Sequence, residues 1–365
     1  MEKHWRAEGW LEPSLEALRH KTRVRMCPAY VAGLIGAGDR KSVQPMAARD
    51  DQVGYDQLHH FIADGMWDAA ALEQVLLTQA DTMVGGDKAW LIVDHTALPK
   101  KGQHSVGVAP QYASALDKNA NCQTLVSLTL ASGEVPVTVG LRLFLPESWT
   151  SDPARLNRAR VPEERRVYRR GLKWAKLAKV PPAKPVESQR RESAFKQKVY
   201  PANVAMIFPV PGRGRPRKRH IPDVTSIAAQ SMLETTAWRK ISWRRGTKGR
   251  LTARFAALRV RVADGPPQRI GAMGAQHLPG EEAWLIGEHR STGARKYYLS
   301  NLPAETPLKQ LAGVIKARWV CEQAHQQLKE ELGLDHFEGR SWTALHRHAL
   351  MTMIAYAFLQ ARRLE

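Results

Sequence analysis

The sequence predicts an α/β protein, and three observations carry that prediction. Residues 14 to 85 place apolar side chains at helical spacing, as in SLEALRHKTR and WDAAALEQVLLTQADTMV. After Gly85 and Gly86 the pattern shortens to apolar runs of strand length bounded by turn residues. From residue 304 onward helical periodicity returns in LKQLAGVIKARWVCEQAHQQLKEELGL and SWTALHRHALMTMIAYAFLQARR.

Taken in order, the first stretch reads as an N-terminal helical domain over residues 1–86, ended by the turn-forming GGDK. AWLIVDHT then reads as a strand buried on both sides. QTLVSLTLA and VPVTVGLRLFL follow as a hairpin turning at Ser132 to Glu134. Between Pro146 and Pro201 periodicity gives way to Arg, Lys and Pro, and only SQRRESAFKQKVY suggests a short helix. A second β-rich region contains AMIFPV, WRKISWRRG, FAALRVRVADG, EEAWLIGEH and RKYYLSNLP. The expected division is therefore 1–86, 87–175, a basic linker and β-rich insertion over 176–303, and C-terminal helices over 304–365.

At 365 residues, with 43% hydrophobic and 25% charged side chains, the chain can bury a full core and needs no disulfide framework. Cys27, Cys122 and Cys321 are odd in number and widely spaced, which fits a reducing compartment and small buried thiols. MEKHWRAEGW has no apolar signal core, and Ala349 to Leu359 is too short to span a bilayer. A soluble, cytoplasmic protein is expected. The net charge of +20 points to a polyanionic partner, above all nucleic acid. From Arg155 to Arg219 there are 20 Lys and Arg against four acids, so this stretch holds +16 of the total and the remaining residues only +4. A solvated basic linker is the alternative.

Two carboxylates stand out. Asp94 ends the apolar run LIV, where a charge is costly unless it is paired, hydrogen-bonded or bound to a metal; a turn aspartate or helix cap is the competing assignment. Thr96, Lys100, Lys101, Gly102 and His104 form a polar, basic loop behind it. Arg318, Glu322, Gln326 and Lys329 share a helical face, which is either an ordinary exposed face with ion pairs or a carboxylate flanked by phosphate-binding cations.

VDHTALPKKGQHSVGVAPQY, with NCQ downstream, resembles the first-aspartate block of bacterial insertion-sequence transposases of the DDE type, and RWVCEQAHQQLKEELGLDHFEGRSW resembles their glutamate block. Arg318, Glu322 and Lys329 match the spacing of the family's Tyr-Arg-Glu-Lys signature, with Ile315 at the tyrosine position. The resemblance implies a ribonuclease H-like core with a β-rich insertion before the glutamate helix. It also implies an endonuclease and strand transferase acting on transposon ends and target DNA as a homodimer. By the same resemblance Asp94 and Glu322 hold Mg2+ or Mn2+, and Arg318 and Lys329 contact phosphates beside the scissile bond. Oxygen ligands suit such ions, and paired metals activate the nucleophile and stabilise the leaving oxygen.

The departure is the second catalytic aspartate. Residues 153–222 contain no aspartate at all, so an internal deletion and an incomplete, poorly active or inactive core are expected. The alternative is a non-catalytic protein that binds DNA ends. Asp152, Asp223 and Asp264 are the possible substitutes, and each reads as a turn residue. GRGRPRKRH resembles an AT-hook, which assigns Arg213, Arg215, Arg217, Lys218 and Arg219 to DNA, either in the minor groove or as a plain phosphate-contacting loop. In SWRRGTKG, Trp243 is either core or a platform for an unpaired base, beside Arg244, Arg245 and Lys248. Lys100 and Lys101 complete the expected DNA contacts.

Overall fold

The structure is a computed structural model that describes residues 6–86, 89–113, 116–166, 200–201, 207–209, 233–234, 236–246, 249–262, 267–269, 275–277 and 282–365. It divides into two compact units, Met1–Pro185 with Trp319–Glu365, and Val186–Arg318. The fold is mixed α/β, with two antiparallel sheets, a two-stranded ribbon and helices. Among the described residues no helix is long and apolar enough to cross a membrane.

The first unit opens with helices α1 (Arg6–Leu18), α2 (Lys21–Ile35), α3 (Val43–Ala47), α4 (Tyr55–Ala63) and α5 (Ala69–Val84). Helix α5 shows how local sequence sets an element. Asp68 caps it by accepting a 2.9 Å hydrogen bond from the Ala70 amide, and Leu72, Leu76, Ala80 and Val84 recur every four residues as its buried stripe. Gly85 then ends it.

Four antiparallel strands follow: β1 (Trp90–Pro99), β2 (Ala109–Ala113), β3 (Lys118–Ser132) and β4 (Val135–Leu143). Strand β3 is central, paired with β1 on one side and β4 on the other, and it is buried continuously from Cys122 to Ala131. The β3–β4 hairpin turns through Gly133, whose φ of 57° lies in the left-handed region that favours glycine. Two expectations need correction here. Strand β1 was expected to be buried on both sides, yet among the described residues it is the edge of its sheet and is only half-buried from Trp90 to Asp94. The short strand β2 and the helices α6 (Glu147–Thr150) and α7 (Pro153–Arg158) fall where no element was expected, because their brevity leaves no readable period. The short helix expected in SQRRESAFKQKVY lies outside the described residues up to Tyr200, which begins a strand.

The second unit is a six-stranded antiparallel sheet of β5 (Tyr200–Pro201), β6 (Ile207–Pro209), β7 (Arg239–Gly246), β8 (Gly249–Val262), β11 (Glu282–His289) and β12 (Arg295–Ser300), together with the ribbon of β9 (Pro267–Arg269) and β10 (Ala275–His277). One face packs Phe255, Ile286, Leu311 and Ile315, so the departure at the tyrosine position supplies core volume. Glu288 is buried on this sheet. Arg290 Nε at 2.8 Å, the Tyr298 hydroxyl at 2.9 Å and Lys316 all donate to it. Burial raises its pKa, but the three hydrogen bonds together outweigh that and hold it below the ordinary carboxylate value.

Helix α8 (Leu308–Glu330) begins in the second unit and ends in the first, where Gly333, at φ 66°, donates to the Lys329 carbonyl and closes it. Helix α9 (Trp342–Leu364) is capped by Ser341 and buried around most of its circumference, against β4, α2, α4 and α5. Several of its buried polar side chains find partners inside the unit. Arg347 donates to the carbonyls of Ile62 and Trp67 and lies 4.6 Å from the Trp67 ring centroid. His348 Nε2 meets the Gly333 carbonyl at 3.1 Å and Nδ1 meets the Tyr30 hydroxyl at 2.8 Å. The carbonyl only accepts, so Nε2 carries the proton and Nδ1 accepts from Tyr30.

Two outcomes follow from these buried groups. Burial lowers the His348 pKa from 6.5 to about 4, so below pH 6.5 the unfolded chain takes up a proton that the folded one refuses. Stability is complete above that pH and falls as the pH drops towards 4, by on the order of 3 kcal/mol from this group. Urea unfolding at stepped pH will show the loss, and His348→Gln will remove this part of the slope. Glu288→Ala leaves the mostly buried Lys316, 13% exposed, without its carboxylate and should destabilise by about 3 kcal/mol in the same assay, against a far smaller cost for the exposed Glu282→Ala.

Candidate functional site

In an antiparallel pair, directly opposed residues project to the same face, and residues two apart along a strand do so as well. Asp94 opposes Ser127, and Ile92 opposes Thr129, so Asp94, Ser127 and Thr129 share one face of the β1–β3 pair. Helix α8 covers that face with Cys321 and His325, which are one turn apart and both buried. Ser127 Oγ lies 2.7 Å from His325 Nε2, Cys321 Sγ lies 3.4 Å from Thr129 Oγ1, and Sγ and Nε2 are 3.5 Å apart. The Asp94 side chain is only 9% exposed. One of its carboxylate oxygens, the Cys321 sulfur and a His325 ring nitrogen all lie within 4.8 Å of one another. The Asp94 Oδ1 atom also accepts from the His95 amide at 2.9 Å.

The two sequence blocks therefore converge. The residues that meet Asp94, however, are the neighbours of Glu322, and Glu322 itself is exposed. A helix turns by 100° per residue, so with Cys321 and His325 inward, Arg318, Glu322 and Gln326 fall on the outer flank, all exposed, with Lys329 half-buried. Cys321 and His325 had not been singled out from the sequence, although the signal was present as Cys and His four apart on a helix beside the candidate glutamate. Cys27 and Cys122 are buried and form no disulfide, as expected; Cys321 is buried and forms none either, but it makes polar contacts that a simple core thiol would not.

The loop behind Asp94 is pinned. Lys100 Nζ donates at 2.8 Å to the carbonyls of both Asp335 and Phe337, and burial lowers its pKa. Its ammonium thus ties the end of β1 to the turn after α8, whereas Lys101 is exposed. Asn121 holds the carbonyls of Lys100 and Gly102, and Arg155 donates to the Gln103 carbonyl while lying 4.0 Å from the Trp149 ring centroid. Asp152 caps α7 by accepting from the Arg155 amide, so it serves a helix start. Asp223 and Asp264 lie outside the described residues, as do Arg213, Arg215, Arg217, Lys218, Arg219 and Lys248.

In the second unit Trp243 packs edge-on against Phe255, with ring centroids 5.9 Å apart, and Lys316 Nζ lies 4.8 Å from its ring centroid. That places Trp243 with the core. Arg244 is half-buried beside it, and Arg245 lies on β7 with its side chain outside the described set. The same sheet contains a basic row that was not read from the sequence. Lys240 opposes Arg254, Arg254 opposes His289, and His289 opposes Arg295, so four basic residues from four adjacent strands line one face. Lys240, Arg254 and Arg295 are exposed, and Arg295 has Glu234 at 3.6 Å. Like charges directly across strands repel, and the cost falls when an anion lies over them. Adjacent strands at about 4.8 Å make the row about 14 Å long.

Comparison with known protein families accords with the two sequence blocks. No curated protein matches the chain. A family model described as DDE superfamily endonuclease matches residues 13–182, and one described as transposase DDE domain matches residues 155–358, more than half of the sequence. The two matches overlap only in the basic stretch that follows the first sheet. The chain belongs to the transposase DDE-domain family.

Proposed function

We propose that this chain is an insertion-sequence transposase that binds transposon-end DNA and whose cleavage in magnesium is crippled by an incomplete carboxylate set. The observation that carries this reading is the set of groups gathered at Asp94. Proteins of this family work with a divalent metal, and paired hard cations need oxygen ligands. The described residues bring one carboxylate, a thiol and an imidazole together there, while Glu322 is exposed on the next helical position. Residues 153–222 contribute no aspartate. That donor set does not fit a magnesium pair.

DNA binding draws on separate parts of the chain. The +16 stretch from Arg155 to Arg219 supplies phosphate neutralisation, with Arg213, Arg215, Arg217, Lys218 and Arg219 as its densest part. The row Lys240, Arg254, His289 and Arg295 offers a second contact with the backbone. Lys101, Arg318 and Lys329 complete the set, whereas Lys100 is engaged as a tether.

Cleavage of labelled transposon-end duplex in Mg2+ or Mn2+, set against an Asp94→Ala control, tests the catalytic half. The expected result is binding by both proteins and nicking by neither. Nicking that disappears in Asp94→Ala would overturn the deficiency and favour a working enzyme. For the binding half, Arg254→Ala should weaken binding uniformly across sequences and lower the slope of log affinity against log salt by about 1. An unchanged slope would remove the row from the interface.

A further inference from the structure

We propose that Asp94, Cys321 and His325 form a binding site for a borderline-soft divalent cation, zinc by its ligand chemistry, rather than for a hard magnesium pair. Thiolate, imidazole and carboxylate are the three donor types that zinc takes, whereas magnesium has little affinity for sulfur. The spacing matches as well. Around a tetrahedral zinc, with sulfur at about 2.3 Å and nitrogen at about 2.1 Å, the two ligand atoms stand about 3.6 Å apart. Cys321 Sγ and His325 Nε2 stand 3.5 Å apart. The Asp94 oxygen is within 4.8 Å of both ligand atoms, close enough for a rotation of the carboxylate to complete a three-residue set. Such a set leaves a fourth position for water.

The surroundings are those of a prepared site. Cys321 and His325 are buried on one helical turn, and Asp94 is on the paired strand beneath them, so the donors come from two rigid elements. Without an ion, Ser127 Oγ lies 2.7 Å from Nε2, and Thr129 Oγ1 lies 3.4 Å from the sulfur. These hydroxyls hold the donors in place. When the ion binds, Nε2 exchanges the Ser127 hydrogen bond for the metal, the Cys321 thiol releases its proton to solvent, and Thr129 can donate to the resulting thiolate. Asp94 would then be committed to zinc, so zinc would exclude any magnesium that Asp94 could otherwise help to bind.

The site stands independently of the cleavage reading and is tested without DNA. The reduced, chelator-stripped full chain is titrated with Co2+, which reports tetrahedral coordination by its visible d–d bands and a thiolate ligand by a near-ultraviolet charge-transfer band. The expected result is one equivalent of cobalt with both signatures, displaced by Zn2+ and untouched by excess Mg2+. Cys321→Ser should abolish the charge-transfer band, His325→Ala should abolish binding, and Asp94→Asn should weaken it by at least about tenfold. Cys122→Ser should retain both signatures, because Cys122 pairs with Pro99 at the far end of β1 and is not among the ligands. Circular dichroism confirms that each variant is folded, and Cys321→Ser, the smallest change, keeps the test open if His325→Ala unfolds. Absence of a thiolate band in the parent chain, or its survival in Cys321→Ser, would overturn the proposal.

Discussion

A short polar contact between elements far apart in sequence organises the first unit. Ser127 on the central strand and His325 on helix α8, 198 residues later, meet at 2.7 Å. Cys321 adds contacts to Ser127 and Thr129 one helical turn away. In a buried environment such groups are costly unless they find each other, so the contact defines one position and one rotation of the helix on the sheet. That rotation brings Cys321 and His325 towards Asp94 and leaves Arg318, Glu322 and Gln326 outward. The site's chemistry follows from the angle of one helix.

The sheet beneath has a central strand and an edge. Strand β3 is buried from Cys122 to Ala131 because β1 and β4 flank it and helices cover its faces. Among the described residues β1 has a paired strand on one side only, and its first half is partly exposed. The stretch from Arg155 to Arg219, after the first sheet, carries most of the positive charge. Such a local excess of cations favours retention of a polyanion.

The second unit depends on a different polar centre. Glu288 is enclosed by Arg290, Tyr298 and Lys316, and Lys316 also lies over Trp243. A buried carboxylate with three donors is satisfied, and it ties β11, β12 and the start of α8 together. The opposite face carries the cross-strand basic row, whose registry is imposed by the same ladders. One sheet thus separates a satisfied internal charge from an accumulated external one.

Much of this was legible in the sequence. The 3.6-residue period announced α5, α8 and α9, and the alternation of short apolar runs with turn residues announced β1, β3, β4 and β6, β7, β8, β11 and β12 of the second unit, because periodicity is a local property. The transposase blocks around Asp94 and Glu322, the charge concentration and the absence of aspartate from residues 153–222 were also plain, since each is a matter of residue identity and order. Tertiary structure alone decided the rest. That β1 is an edge strand depends on what pairs with it, and that Lys100 is a tether depends on carbonyls more than 200 residues away. That four basic residues align across four strands depends on ladder register. That Cys321 and His325 meet Asp94 depends on how α8 is rotated against the sheet, because a helix of known sequence can present any of its faces until packing and buried hydrogen bonds select one.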